Sequence, residues 1–252
     1  MCGIVAIVGR TPVAPLIVDA LKRLEYRGYD SAGVATIAHG ELARRRAEGK
    51  LVNLENRLKA EPLDGNIGIG HTRWATHGVP SENNAHPHFS TGVAIVHNGI
   101  IENFAELRTE LVADGVEFSS QTDTEVVAHL ISREIARGAK PIEAAHSTLK
   151  RLEGAFALAI MFKGDDNLLV AARNGPPLAI GHGDGEMFLG SDAITLSPFT
   201  NTVTYLEDGD WAVVRREQVS IFDIDGNPVE RSKQQSLSAS FMVDKGNHRH
   251  FM

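Results

Sequence analysis

Cys2 is the only cysteine of the 252-residue chain, and it stands directly behind the initiator methionine in Met1-Cys2-Gly3-Ile4-Val5. Its side chain is small enough to allow trimming of Met1, which would place a thiol and a free α-amine on one Cα. An α-amine titrates near ~8 and a thiol near ~8.5, so at neutral pH the amine can serve as base for its own thiol. That pair is a nucleophile for acyl transfer. A chain that kept Met1 would have the amine acylated and should be inactive. Taken by itself, a cysteine at position two is more often a small hydrophobe.

Four other stretches concentrate chemistry-bearing residues: Glu25 to Gly33; Gly70 to Gly78 running on to Asn84-Ala85-His86-Pro87-His88; Val96 to Asn103; and Gln121 to Glu125. Each has a local reading without function. Arg27 and Asp30 can form a surface ion pair worth little. Asn98-Gly99 fits a type I′ hairpin turn, the better local reading. Asp123 can charge a helix N-terminus, and His71 and His77 suit loop-holding hydrogen bonds better than base catalysis. The alternate spacing of His86 and His88 invites a metal. With no second cysteine, no His-Glu-x-x-His and no dense carboxylate cluster, no metal site and no cofactor are expected.

The elements that must position these residues follow from periodicity. Residues 2–8 read as a short buried strand stopped by Gly9. A helix is predicted at 12–25, where Val13, Leu16, Ile17, Ala20, Leu21 and Leu24 share a face. Strands are predicted at 32–38, 41–47, 66–73 and 92–97, and helices at 103–114, 122–137 and 141–151. The second of these helices opens on a capping-box pattern, Thr122 with Glu125. From 154 on, strands are expected at 154–162, 168–172, 178–180, 187–190, 202–206, 210–215 and 218–222, a hairpin turn at Asp225-Gly226-Asn227 ending the series. Strands and helices come in blocks, which favours an α+β fold with largely antiparallel sheets. Beyond about residue 230 the chain turns polar and loses periodicity. Asp244-Lys245-Gly246 with His248-Arg249-His250 reads as a connection, so the expected organisation is one domain, 2–230, and a tail, 231–252.

Composition narrows the class. With 42% hydrophobic and 23% charged residues the chain reads as an ordinary soluble globular one. A net charge of −7 argues against a nucleic-acid partner, and Arg44-Arg45-Arg46, without aromatic neighbours in sequence, reads as one solvated strand face. A single cysteine excludes an internal disulfide and fits a reducing cytoplasm. The N-terminus lacks a signal-peptide pattern, and no apolar run approaches the ~20 residues of a membrane span, so no membrane association is expected.

Taken together, these segments resemble the class II (N-terminal nucleophile) glutamine amidotransferases. The resemblance rests on Tyr26 to Gly33, His71 to Gly78, Asn84 to His88 and His97 to Asn103, and it spans Cys2 to His250-Phe251-Met252. It is strongest for the branch whose glutaminase half supplies ammonia to fructose 6-phosphate, making glucosamine 6-phosphate. Amidophosphoribosyltransferase and asparagine synthetase share the leading Cys-Gly-Ile and the Asn-Gly pair, but not the run Arg73-Trp74-Ala75-Thr76-His77-Gly78. The resemblance implies a four-layer αββα sandwich, with two antiparallel sheets between helical layers. It implies that Cys2 attacks the side-chain amide of L-glutamine, with Asn98 and Gly99 as oxyanion hole. Arg73, with Thr76 and His77 beside it, would hold the substrate carboxylate, and Asp123 the substrate amine. Arg27, Gly28, Trp74 and His86 would serve as lid and supporting residues. It also implies two sugar-phosphate isomerase domains beyond the tail, and a homodimer for the longer protein. An amidase for another amide is disfavoured, because Arg73 with Asp123 suits an α-amino acid. A non-catalytic glutamine-binding module is disfavoured because nothing in the catalytic set is missing.

Overall fold

A computed structural model describes residues 2–236. Met1 and the stretch 237–252, with Asp244-Lys245-Gly246, His248-Arg249-His250 and the terminal Phe251-Met252, lie outside the described residues. In chain order the first strands are Gly3–Val8 (β1), Ser31–Ala38 (β2), Glu41–Glu48 (β3), Ile67–Arg73 (β4), His88–Ser90 (β5) and Val93–Ile101 (β6). Gly154–Phe162 (β7), Leu169–Asn174 (β8), Ala179–His182 (β9), Met187–Gly190 (β10) and Thr202–Tyr205 (β11) follow, then Trp211–Val214 (β12), Val219–Phe222 (β13) and Gln234–Gln235 (β14). The helices are Ala14–Lys22 (α1), Leu51–Ala60 (α2), Phe104–Ala113 (α3), Thr124–Ala136 (α4), Pro141–Leu149 (α5) and the single turn Ala193–Leu196 (α6).

β1 shows how the layers arise. It is buried along its whole length, with Ile4, Ala6 and Val8 in the core between two sheets and Val5 and Ile7 in the core under helices. A continuous apolar run of this kind belongs to a strand covered on both faces. β1 lies inside an eight-stranded sheet of order β14-β11-β9-β10-β1-β4-β2-β3. A six-stranded sheet, β13-β12-β8-β7-β6-β5, packs against it, and the strand pairs of both are antiparallel. Alanines supply much of the layer between them: Ala6, Ala35, Ala94, Ala157, Ala159, Ala171 and Ala212. Such small side chains let the sheets approach closely. α1, α2 and α6 cover the outer face of the first sheet, and α3, α4 and α5 that of the second. The result is the αββα sandwich expected from the resemblance.

Local readings fare less evenly than the architecture. The helix expected at 12–25 stops at Lys22 and gives way to a 3-10 turn, Glu25–Arg27. α2 was not anticipated, although Leu51 and Leu54 are buried at helical spacing and Leu58 packs beside them. Asn98-Gly99 is not a hairpin turn: both residues lie within β6, paired with Ala157 and Phe156 of β7. The capping box is also absent. α4 starts at Thr124, and the Glu125 carboxylate instead accepts the backbone N–H groups of Ser119 and Ser120 at 2.8 and 2.7 Å. Arg44-Arg45-Arg46 is no solvated face. Arg46 is buried and donates to the Asn83 and Ala85 carbonyls, while Arg44 stacks over Phe89 at 4.6 Å. The strand series continues past Asp225-Gly226-Asn227, since Gln234–Gln235 pairs with β11 and Arg231 forks onto the buried Asp210. No helix among the described residues is long and apolar enough to cross a membrane.

Candidate active site

Antiparallel pairing of β1 with β4 sets Gly3 opposite Thr72, so Cys2 arrives beside Arg73 and Trp74. The Cys2 sulfur accepts the Trp74 N–H at 3.2 Å and faces the Trp74 carbonyl at 3.4 Å. Burial pushes the thiol pKa up, and the Trp74 N–H only partly opposes this. A free-standing thiolate is therefore disfavoured, and the proton has to leave as the sulfur attacks.

β6 delivers Asn98 and Gly99 from the other sheet. The Asn98 amide donates to Ser191 Oγ at 2.8 Å and, at 3.4 Å, to the Cys2 carbonyl, while its oxygen faces His71 Nε2 at 2.9 Å. Gly99 has φ 119°, and a Cβ there would lie 2.0 Å from the Ala155 carbonyl oxygen. Only glycine fits.

Arg73 closes β4, its side chain 3% exposed. Its guanidinium donates to the backbone carbonyls of His77 and Gly78, at 2.5 and 3.0 Å, and of Val79 at 3.4 Å, and lies 3.7 Å from Asp30. Burial pushes its pKa down, opposed chiefly by the charge of Asp30. Asp30 also accepts the Ala75 N–H at 2.5 Å, and Asn84 and Gln121 take up backbone groups of the same loop. Thr76 and His77 line the cavity with Arg73. Asp123 immediately precedes α4 yet makes no cap with its side chain. It accepts the Ile101 N–H at 2.9 Å and lines the same cavity.

Behind these groups lies a row of buried histidines. His86 is 4.3 Å from His71 and 4.6 Å from His88, ring centre to ring centre, and His86 and His97 both meet the Thr124 hydroxyl. Burial lowers the pKa of all four, to about 3 for His71 and His88. They are neutral hydrogen-bonding groups near pH 7 and hold no charge against Arg73. Among the described residues no group of three or more His, Cys, Asp or Glu side chains forms a metal-ligand set.

A strap formed by residues 25–30 covers the cysteine. Arg27 reaches the Cys2 carbonyl at 3.5 Å and pairs with Asp192, not with Asp30. Gly28 has φ 74°, and a Cβ would sit 2.8 Å from the Trp74 ring. The cavity bounded by Cys2, Arg73, Trp74, Thr76, His77, His86, Gly99 and Asp123 encloses about 10 Å³. That is room for roughly one water. The cavity is smaller than an amino acid, and Trp74 at 54% and Val79 at 64% exposure are the most exposed large hydrophobic residues beside it.

Of the candidate site residues, Cys2, Arg73, Trp74, Thr76, His77, His86, Gly99 and Asp123 line one cavity, while Asn98 and Arg27 reach the Cys2 carbonyl and Gly28 packs against Trp74. Sequence reasoning missed Ser191 and Asp192, which hold Asn98 and Arg27. The only local signal was a Ser-Asp pair before a short helix, where Asp192 caps Ile194. Larger grooves exist, such as one of about 260 Å³ between α1 and α2, but its lining is mainly apolar and shares no residue with the cavity at the cysteine.

Comparison with known proteins bears on the family and the fold. A protein-family profile described as "Glutamine amidotransferase domain" matches residues 71–198. Over all of its length the chain is 83% identical to a glutamine–fructose-6-phosphate aminotransferase (isomerizing) of Mesorhizobium japonicum and 69% identical to one of Rhizobium meliloti. It spans 42% and 41% of those relatives. Among solved structures, a glutamine phosphoribosylpyrophosphate amidotransferase of B. subtilis superposes with a TM-score of 0.78 at 25% identity, over 90% of this chain and 50% of that one. A glutamine aminotransferase class-II domain protein of Silicibacter pomeroyi gives 0.59 at 18% identity, over 88% of this chain and 99% of that one, a likeness of fold alone.

Proposed function

Because the chain belongs to the glutamine amidotransferase domain family, we propose that it hydrolyses L-glutamine to glutamate and ammonia with Cys2 as nucleophile. The observation that carries the reading is the convergence of a thiol, an amide donor, a buried guanidinium and a buried carboxylate on one cavity. Free glutamine is a zwitterion. Arg73 offers a planar fork for its carboxylate, with Thr76 and His77 beside it, and Asp123 an anion for its amine. That places the side-chain amide against Cys2.

The freed α-amine of Cys2 takes the thiol proton, directly or through water, as the sulfur adds to the amide carbon. Negative charge then develops on the amide oxygen, and the Asn98 side-chain N–H with the Gly99 backbone N–H stabilises it; one such donor is worth about 3 kcal/mol. The proton passes to the leaving nitrogen and ammonia departs. Water hydrolyses the remaining γ-glutamyl thioester to glutamate. Arg27, Gly28 and Trp74 form the closing lid, with His86 supporting the floor, and closure excludes bulk water.

The 83% identity to a glutamine–fructose-6-phosphate aminotransferase supports a further step, in which the ammonia passes to fructose 6-phosphate to give glucosamine 6-phosphate. In that reading residues 2–230 are the glutaminase unit and 231–252 lead toward sugar-phosphate isomerase domains, in a cytoplasmic homodimer. The test is a glutamine turnover assay on protein whose intact mass shows Cys2 as first residue. Glutamate release at a rate set by Cys2 is expected. No turnover from correctly processed, folded protein would leave glutamine binding without catalysis as the better reading.

A further inference from the structure

Asn98 is held by groups that the proposed reaction leaves untouched. Resting on the reading of Asn98 as oxyanion donor, we propose that Ser191 and His71 are positioning residues that clamp its amide to the nucleophile's own strand. Ser191 follows β10, at the point where the ladder with β1 ends. Its N–H still donates to the Ile4 carbonyl at 3.1 Å, but the Ile4 N–H turns to Ser191 Oγ at 2.7 Å in place of a backbone carbonyl. The same hydroxyl oxygen accepts the Asn98 amide at 2.8 Å. One buried atom thus ties the strand that carries Cys2, two residues from Ile4, to the donor arriving from the opposite sheet. The separation between nucleophile and oxyanion donor is then set by two hydrogen bonds, where facing sheets alone would leave it to side-chain packing.

His71 decides which end of the amide faces the nucleophile. Ser191 Oγ accepts at 2.8 Å, and the Cys2 carbonyl, which Arg27 also reaches, accepts only loosely at 3.4 Å, so the NH₂ lies on that side with its second N–H free to turn to the oxyanion, and the Asn98 oxygen faces His71. His71 must then present an N–H at Nε2. Nδ1 makes no hydrogen bond, so the contact with the Asn98 oxygen alone assigns the ring proton to Nε2. A neutral ring with its proton on Nε2 gives the amide one orientation. Placing a donor to within a few tenths of an ångström is what makes preorganised oxyanion stabilisation effective.

The test is a double-mutant cycle on processed protein, with folding checked by circular dichroism. Ser191→Ala should lower kcat about tenfold or more and leave KM within about twofold, as expected for an interaction felt in the transition state. In an Asn98→Ala background the same change should alter kcat by less than about twofold, since the group being positioned is gone. His71→Phe, which keeps a buried ring, should show the same dependence on Asn98 and covers the case in which Ser191→Ala fails to fold. Nitrogen NMR of the wild-type histidines should show His71 protonated at Nε2. Equal slowing by Ser191→Ala with and without Asn98, or a proton on Nδ1 of His71, would overturn the clamp while leaving the glutaminase reading in place. Wild-type turnover by Asn98→Ala would instead remove the oxyanion assignment, and the clamp with it.

Discussion

The two sides of the cavity are built in opposite ways. The floor, made of β1, β4, β6 and the end of β10, holds Asn98, His71 and Ser191 at 6% exposure or less, with polar contacts running from side chain to side chain. The roof, residues 74–79, exposes Trp74 and Val79 and is held largely by backbone carbonyls gathered on Arg73. Opening the floor would break sheet ladders and expose apolar core, whereas opening the roof trades a few hydrogen bonds for water. Transition-state contacts therefore belong on the floor, which cannot drift, and substrate capture on the roof, which must move. The comparison predicts that floor substitutions act on kcat and roof substitutions on KM.

The largest effect should come from the floor. Cys2→Ala should abolish glutamine hydrolysis with the fold intact, and a diazo-ketone analogue of glutamine should add one adduct, at Cys2, by mass spectrometry. Full activity in the alanine variant ends the nucleophile assignment. Next, Asn98→Ala should lower kcat by about a hundredfold or more with KM little changed. Asn98→Asp sharpens this, because aspartate keeps the backbone but turns an acceptor toward the oxyanion. Wild-type turnover by that variant would mean the oxyanion hole is misplaced.

A smaller effect is expected from Arg73, which ends β4 and gathers the carbonyls of the roof. Arg73→Lys should raise KM about tenfold with kcat nearly preserved, since a point charge replaces neither a forked carboxylate contact nor the carbonyls of residues 77–79. Unchanged KM in steady-state assays would assign the carboxylate to another cation.

The gentlest test uses pH on the whole floor. Burial holds the pKa of His71, His86, His88 and His97 below the unfolded value of 6.5, against Glu125 beside His88 and Asp123 beside His97, and with the charge of Arg73 acting in the same direction as burial on His71, His86 and His88. The unfolded chain therefore binds more protons than the native one below pH 6.5. Their contribution to stability is fully present above that pH and is lost as pH falls toward about 3, the native value of His71 and His88. Denaturant titrations should show stability falling between pH 6.5 and 5 by about 1.4 kcal/mol per unit or more, one proton or more. A flat profile there would show that these rings are solvated, and the rigid floor would go with them.

Much of this was legible in sequence because chemistry-bearing residues tolerate few substitutes. A thiol at position two pointed to acyl transfer, the family resemblance gave Arg73 and Asn98-Gly99 their places in it, and apolar runs such as 2–8 and 154–162 pointed to buried strands. Asn98-Gly99 also shows the limit. Local rules make it a turn, and only pairing with β7 stretches it into a strand, where Gly99 is required by the Ala155 carbonyl rather than by a hairpin. The partners of Arg27 and Asn98 were out of reach, because Asp192 and Ser191 lie more than ninety residues away and carry no pattern of their own. Hydrophobic periodicity depends on near neighbours along the chain, so the sequence alone determined the elements and the reactive residue types. Which buried polar atom meets which depends on how two sheets stack, and only the tertiary structure decided that.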